Sequence, residues 1–77
     1  MKLTYDPKYN IAYISFKEKP DKVETICVNE ELNIDISADG SVYGIELLNA
    51  NEQLDIVKNK GLVLKNESTG EEVKLVA

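Results

Sequence analysis

Residues 31–50, ELNIDISADGSVYGIELLNA, decide the fold because they contain the strongest local pattern in the chain. Apolar and polar residues alternate from Leu32 to Ser37, as in a strand with one buried face. Asp39-Gly40 supplies the positive φ angles that a two-residue type I′ turn requires. The stretch therefore predicts a β-hairpin that turns at Asp39-Gly40.

The turn and the hydrophobic pattern select the same register for this hairpin. On one face the register opposes apolar residues to one another: Ile36 to Tyr43, Ile34 to Ile45 and Leu32 to Leu47. On the other face it opposes Asn33 to Glu46 and Asp35 to Gly44. A glycine inside a strand indicates either a bulge or the close approach of another backbone, so Gly44 marks one of these two features.

The composition indicates one small domain, residues 1–77. A chain of this length buries only about 60% of its unfolded surface, and oligomerisation is a common source of added stability. The sequence has no histidine and a single cysteine, Cys27, so neither a disulfide nor a histidine-based zinc site is available. A lone cysteine fits a reducing compartment, and neither a secretory signal nor a membrane span is recognisable. We therefore expect a cytoplasmic protein.

The charge pattern bears on the class of partner. Fourteen acidic residues stand against nine lysines, which gives a net charge of −5, and the sequence contains no arginine. Phosphate binding needs clustered cations and guanine recognition relies on arginine, so we expect no nucleic-acid partner. An acidic surface would suit a small basic protein, although mild acidity also serves solubility.

Three further strands precede the hairpin, at residues 3–5, 11–16 and 22–28. The second of them is apolar on both faces, as in a strand at the centre of a sheet. The inward residues of the third are either Ile26 and Val28 or Val23, Thr25 and Cys27. Because consecutive strands with short connections usually neighbour one another, residues 1–48 predict an antiparallel meander.

After Leu48 the hydrophobic period changes to about 3.6, which predicts a helix over residues 50–59 within the segment 49–60. Asn49 is a suitable N-cap, with Glu52 as its capping-box partner. The apolar stripe of this helix consists of Ala50, Leu54 and Val57, and its C-terminal signals are Lys58, Lys60 and Gly61.

Residues 62–76 predict a second hairpin around the loop Glu67-Ser68-Thr69-Gly70. Its register opposes Leu62 to Leu75, Leu64 to Val73 and Lys65 to Glu72. The fold class is therefore α+β: an antiparallel β-meander of about five strands with one helix on the apolar face and a C-terminal β-hairpin. The hairpin either extends the sheet or pairs across a homodimer, which the small core and the sheet edges also favour.

Few side chains in the sequence are suited to catalysis. Cys27 lies between Ile26 and Val28, so we expect a core residue rather than a nucleophile. The carboxylates of Asp35 and Glu46 could serve acid–base chemistry or bind a divalent cation, but a hydrolytic site needs a cleft that so short a chain hardly forms. We predict no enzyme activity, catalytic residue, metal or cofactor. The candidate binding residues are Tyr9, in a loop, and Asn33, Asp35 and Glu46.

Three segments carry a family resemblance. They are Tyr5-Asp6-Pro7, then Ala12-Tyr13-Ile14, then Asp39-Gly40-x-Val42-x-Gly44-Ile45-Glu46-Leu47-Leu48-x-Ala50. In this order and spacing they resemble the short prokaryotic proteins of domain-of-unknown-function family 2283, over residues 2–54. The chain departs from the family at Tyr9 and Asn10, where members often have acidic or small residues. Residues 55–77 extend beyond the usual family core, so the second hairpin has no support from the resemblance.

The resemblance implies a small β-rich domain of no established activity. Some members are encoded beside small toxin-like ribonuclease reading frames, which implies an antitoxin-like role. The leading hypothesis is a non-enzymatic protein-interaction module that binds a small basic protein. The alternatives are a self-assembling structural protein and a carboxylate-based, metal-dependent hydrolase.

Overall fold

The computed structural model describes residues 1–18, 22–55, 58 and 61–76. These ranges contain seven strands and one short helix, and Lys58 is also helical. The strands are β1 (Lys2–Asp6), β2 (Ile11–Ser15), β3 (Val23–Asn29), β4 (Leu32–Ser37), β5 (Val42–Leu48), β6 (Gly61–Lys65) and β7 (Glu72–Val76), and helix α1 is Ala50–Gln53. The predicted α+β class is confirmed.

The first five strands form one antiparallel sheet in the order β1-β2-β5-β4-β3. The predicted meander order is therefore wrong, because β2 pairs with β5 and not with β3. The prediction that residues 11–16 occupy the centre of the sheet is also wrong, since β5 lies there. This order places β2 beside β5, so that Ile14 lies opposite Ile45 and Ala12 opposite Leu47.

The interior register of the first hairpin is confirmed, from Leu32 opposite Leu47 to Asp35 opposite Gly44. Its turn differs from the prediction. Ser37 and Ser41 bond to each other across a three-residue loop, in which Gly40 has a positive φ of 87° and Asp39 does not. The longer loop shifts the register by one residue, so Ile36 lies opposite Val42 and not Tyr43.

A bulge at Tyr43 then restores the predicted pairing. The register shifts back between Ile36 and Asp35, which leaves Tyr43 as the extra residue of β5. A bulge of this kind turns a side chain toward the other face of the sheet. The ring of Tyr43 accordingly lies 6.2 Å from that of Tyr13, between centroids.

The sheet has one apolar face, which we define by two rows of side chains. The first row has one residue from each strand: Leu3, Ile14, Ile45, Ile34 and Ile26. The second row is Tyr5, Ala12, Leu47 and Leu32. Of the two arrangements left open for β3, the structure has Ile26 on the apolar face. Within the described part of the chain, the buried apolar residues are Ala12 and Ala50.

Helix α1 covers the first part of the predicted segment 50–59. It ends with Leu54 at its C-cap, and Asp55 adopts a left-handed φ of 48° that interrupts the helix, whereas Lys58 beyond it is helical again. Asn49 is the N-cap residue, as predicted, but it has a left-handed φ of 53° and its side chain makes no cap hydrogen bond. It donates instead to the Glu52 carboxylate at 2.9 Å. Val57 and Lys60 lie outside the described residues.

The helix packs at one end of the sheet and contacts β2 and β5. Its first backbone amide, that of Ala50, donates to the carbonyl of Asn10 at 3.0 Å. At the same end the side chain of Gln53 donates to the carbonyl of Glu31 at 2.8 Å. The described residues of this helix are therefore too few to cover most of the apolar face. None of the helical residues that are described forms a segment long and apolar enough to cross a membrane.

The second hairpin has the predicted register, with Leu64 opposite Val73 and Lys65 opposite Glu72. Strands β6 and β7 form a separate two-stranded sheet and do not extend the larger one. The apolar side chains of this hairpin from Leu62 to Leu75 are exposed, with Leu64 at 62%. A two-stranded hairpin has little stability in water by itself.

Candidate functional site

The polar face of the sheet, opposite the apolar face, brings together side chains from four strands. Strand pairing places Glu46 between Tyr13 and Asn33, and Gly44 beside Asp35, which lies beside Thr25. We call these residues the polar face: Tyr13, Thr25, Asn33, Asp35, Gly44 and Glu46. Alternation along β4 and β5 sends apolar residues to one side and these polar residues to the other.

The hydroxyl of Tyr13 donates a hydrogen bond to Asp35 Oδ2 at 2.6 Å. The two residues belong to β2 and β4, which are separated by β5. The tyrosine ring passes over Gly44, where an added Cβ would lie 2.5 Å from the Tyr13 oxygen and 2.7 Å from the Ile14 carbonyl oxygen. Gly44 therefore combines both predicted features, since it adjoins the Tyr43 bulge and lies in close contact with another backbone.

Both carboxylates of the polar face are fixed by neighbouring strands. Asp35 Oδ1 accepts a second hydrogen bond from the Thr25 hydroxyl at 2.6 Å. Glu46 Oε1 accepts one from the side-chain amide of Asn33 at 2.8 Å. Hydrogen bonds to charged acceptors are among the stronger ones in proteins. The structure thus holds two negative charges at defined positions on an open surface.

This environment changes the titration of Tyr13. Desolvation raises the pKa of the Tyr13 hydroxyl well above its usual range, and the hydrogen bond to Asp35 raises it further. The negative charges of Asp35 and Glu46 add to the effect because they disfavour the tyrosinate form. Tyr13 is therefore a neutral hydrogen-bond donor at every physiological pH.

The structure brings together three of the four predicted binding residues: Asn33, Asp35 and Glu46. Tyr9 lies apart from them, in the turn between β1 and β2, and is 65% exposed. Lys8 Nζ lies 5.3 Å from the centre of the Tyr9 ring. Asp6 Oδ1 accepts hydrogen bonds from the backbone amides of Lys8 and Tyr9. The prediction of a buried Cys27 is wrong: this residue is exposed because β3 is an edge strand.

The sequence did not single out Tyr13 and Thr25 as partners of Asp35. The signal that could have found Tyr13 is Gly44, because a glycine within a strand makes room for a neighbouring group. An acidic corner was also missed. There the side-chain amide of Asn49 donates to Glu31 at 3.0 Å and to Glu52 at 2.9 Å.

Beside the polar face, the residues that the structure describes form no deep cleft. A shallow, open depression at one end has a volume of about 450 Å³ and is lined by Met1, Lys2, Ser15, Lys17, Glu18 and Tyr43. Across the described ranges, no three histidine, cysteine or acidic residues are grouped in a way that could hold a metal ion. The arrangement is suited to recognising a surface through hydrogen bonds and charge.

Residues 2–51 match the sequence model of a family described as protein of unknown function, DUF2283. The chain belongs to this family. The DUF2283 match includes all six residues of the polar face and ends within α1, so β6 and β7 lie outside it. Among curated proteins and among solved structures, no match to the sequence was found.

Proposed function

We propose that this DUF2283 protein is a non-enzymatic interaction module with an antitoxin-like role, whose polar face binds a small basic protein. The observation that carries the proposal is the pair of carboxylates on this face. Asp35 is held by hydroxyl groups from β2 and β3, and Glu46 is held by an amide from β4. Side chains that are already fixed lose little conformational entropy on binding, which favours affinity.

Charge supports a basic partner. The net charge of −5 and the exposed acidic corner around Glu31 and Glu52 would attract a basic protein over long range. Such steering raises the association rate and falls with added salt. The fixed carboxylates of the polar face would then pair with lysine or arginine side chains of the partner. Tyr9 is a further exposed aromatic side chain that could anchor a partner at the rim.

The antitoxin-like part of the proposal rests on the family. The resemblance implies that some members are encoded beside small toxin-like ribonucleases, and neutralising such an enzyme needs a binding surface and no catalytic group. We place the protein in the cytoplasm, where the exposed thiol of Cys27 would stay reduced. We also propose that it is a homodimer, because the described residues of this small chain leave most of the apolar face uncovered.

The chemistry of Asp35 weighs against a metal-dependent hydrolase. Each of its two oxygens accepts a 2.6 Å hydrogen bond from a hydroxyl group. These bonds occupy two of the four lone pairs of the carboxylate. Divalent cations in proteins usually need more oxygen ligands than the two nearby carboxylates can then supply.

Co-expression with the adjacent reading frame tests the proposal. If that frame encodes a small basic protein, we expect the two proteins to copurify at moderate salt. Asp35→Asn and Glu46→Gln should each weaken the complex about tenfold, as expected for a charged interface pair. Glu67→Gln is the matched control, since it makes the same charge change in the loop of the second hairpin.

Two results would refute the proposed partner. One is an adjacent frame without a basic protein, together with a pull-down from native cytoplasm that recovers only this chain. A self-assembling structural protein would then be the better interpretation. The other is calorimetric heat of magnesium, calcium or manganese binding that Asp35→Asn or Glu46→Gln abolishes, which would favour the hydrolase.

A further inference from the structure

We infer that the apolar face is the contact surface of a homodimer in which the sheets of two copies pack face to face. The inference deepens the homodimer of the proposed function by naming its surface, and it does not depend on a basic partner. Its occupant is a second copy of this chain.

The composition of this face is that of a sheet interface. Its first row takes one large apolar residue from every strand, and neither of its two rows contains a charged side chain. At opposite edges of the sheet, Leu3 and Ile26 are 39% and 45% exposed. A contiguous apolar surface that reaches across five strands is unusual for a soluble monomer and marks an interaction site.

The exposed area is large enough for a stable dimer. The chain exposes 6064 Å², whereas a compact monomer of 8.6 kDa exposes about 4,700 Å². The separate second hairpin contributes part of the difference of about 1,400 Å². A standard interface needs about 800 Å² from each partner, which lies within this difference.

The charge distribution favours a second copy over a basic protein. Asp35 and Glu46 lie on the opposite face, so two copies can join their apolar faces while these negative charges remain on the outside. A basic partner would find no acidic side chain in the two apolar rows. Packed sheets also need matching twist and width, and an identical sheet provides both through a two-fold axis.

The second hairpin of the same chain is too narrow to cover this face. Neighbouring strands lie about 4.8 Å apart, so the five-stranded sheet is about 24 Å wide and a two-stranded hairpin covers less than half of that width. A second copy presents five strands and can cover the whole face. If the second hairpin nevertheless occupies the apolar face, the experiments below will detect it.

Light scattering of the purified full-length chain at high micromolar concentration tests the inference. We expect twice the chain mass of 8.6 kDa for the natural sequence. Leu3→Lys and Ile26→Lys should raise the dimer dissociation constant about a hundredfold, because a symmetric interface buries each unpaired charge twice. Lysine lowers the net negative charge, so weaker association could not arise from added repulsion between copies.

Thr4→Lys is the matched control, because Thr4 neighbours Leu3 on β1 and lies opposite Tyr13 on the polar face. It should remain dimeric, as should Asp35→Asn, which tests the partner surface separately. The inference would be overturned if the natural chain were monomeric, or if both lysine variants remained dimeric. Neither result would affect the proposal of a basic partner.

A second measurement covers the case in which a lysine variant fails to fold. In a mixture of isotope-labelled and unlabelled natural chains, NMR should show contacts between copies from the methyl groups of Ile34 and Ile45. Contacts between copies that are confined to Leu62 and Leu75 would assign association to the second hairpin and overturn the inference.

Discussion

Tyr13 donates its hydroxyl to Asp35 Oδ2 at 2.6 Å although the strands of the two residues are not neighbours. The bond crosses β5 above Gly44, where the missing side chain leaves room for the tyrosine ring. The glycine, the tyrosine and the aspartate therefore act as one unit. This unit links β2, β5 and β4 through side chains in addition to the backbone ladder.

Gly44→Ala should destabilise the fold by about 2–3 kcal/mol, as overpacking a close contact usually does. The new Cβ would lie 2.7 Å from the Ile14 carbonyl oxygen, and a backbone atom cannot move away without disturbing the β2–β5 pairing. Urea unfolding followed by circular dichroism measures the loss. Gly70→Ala is the control: no atom lies within 4 Å of its added Cβ, and only its positive φ of 78° is strained. Equal losses for the two variants would contradict the proposed contact.

Tyr13→Phe should reduce the free energy of unfolding by about 1–2 kcal/mol, because Asp35 loses a charge-assisted hydrogen bond. Thr25→Val, which removes the other hydroxyl bonded to Asp35, should have a similar effect. The double variant leaves the carboxylate without either partner, so the two losses should not add. Additive losses in a double-mutant cycle would show that the two bonds act independently.

Tyr13 should be the last tyrosine to ionise as pH rises, because the pKa of its hydroxyl is raised by desolvation and by Asp35. Tyrosine in the unfolded chain ionises near pH 10. A raised folded-state pKa contributes stability that is fully present below about pH 10 and is lost as pH rises from there toward the folded-state pKa. Tyrosinate absorbance measures the titration, with Tyr13→Phe as the reference spectrum. If the natural chain and this variant lose stability equally above pH 10, the shift is absent.

Sequence patterns predicted those parts of the fold that depend on local alternation and pairing. Ile34 and Ile45 share a face, and Leu64 meets Val73, because hydrophobic period and turn position both constrain a hairpin. The same register brought Asn33, Asp35 and Glu46 to one face. Strand order was not predictable in this way, because either β3 or β5 satisfies the hydrogen bonds of β2.

The remaining differences between the predicted and the observed fold arise where two local features cancel each other or where one overrides the other. The three-residue loop shifts the register of the first hairpin by one residue, and the Tyr43 bulge shifts it back. The two shifts cancel, so the interior pairs keep the predicted register. The interruption of the predicted helix at Asp55 was not predictable, because the apolar stripe gives no sign of a left-handed residue at that position. The Tyr13–Asp35 bond joins strands that only the true strand order brings within reach.

Asp39 offers a pH test of the first turn. Hydrogen bonds from Ser41 lower the pKa of the Asp39 carboxyl below its usual value, first from the hydroxyl at 2.6 Å and then from the backbone amide at 2.9 Å. A lowered folded-state pKa contributes stability that is present above the ordinary pKa of about 4 and is lost as pH falls through the folded-state value. The natural chain should therefore lose more stability on acidification than Asp39→Asn does.

Ser41→Ala separates the hydroxyl from the backbone amide in this effect. Removing the hydroxyl should move the pKa of Asp39 part of the way back toward its usual value, because the amide of residue 41 still donates. NMR titration of the Asp39 carboxyl carbon measures the change directly. Thr69→Ala is a suitable control, since it removes a hydroxyl that accepts a backbone amide in the other hairpin. A titration of Asp39 that is the same with and without the Ser41 hydroxyl would show that the charge is stabilised by the backbone alone.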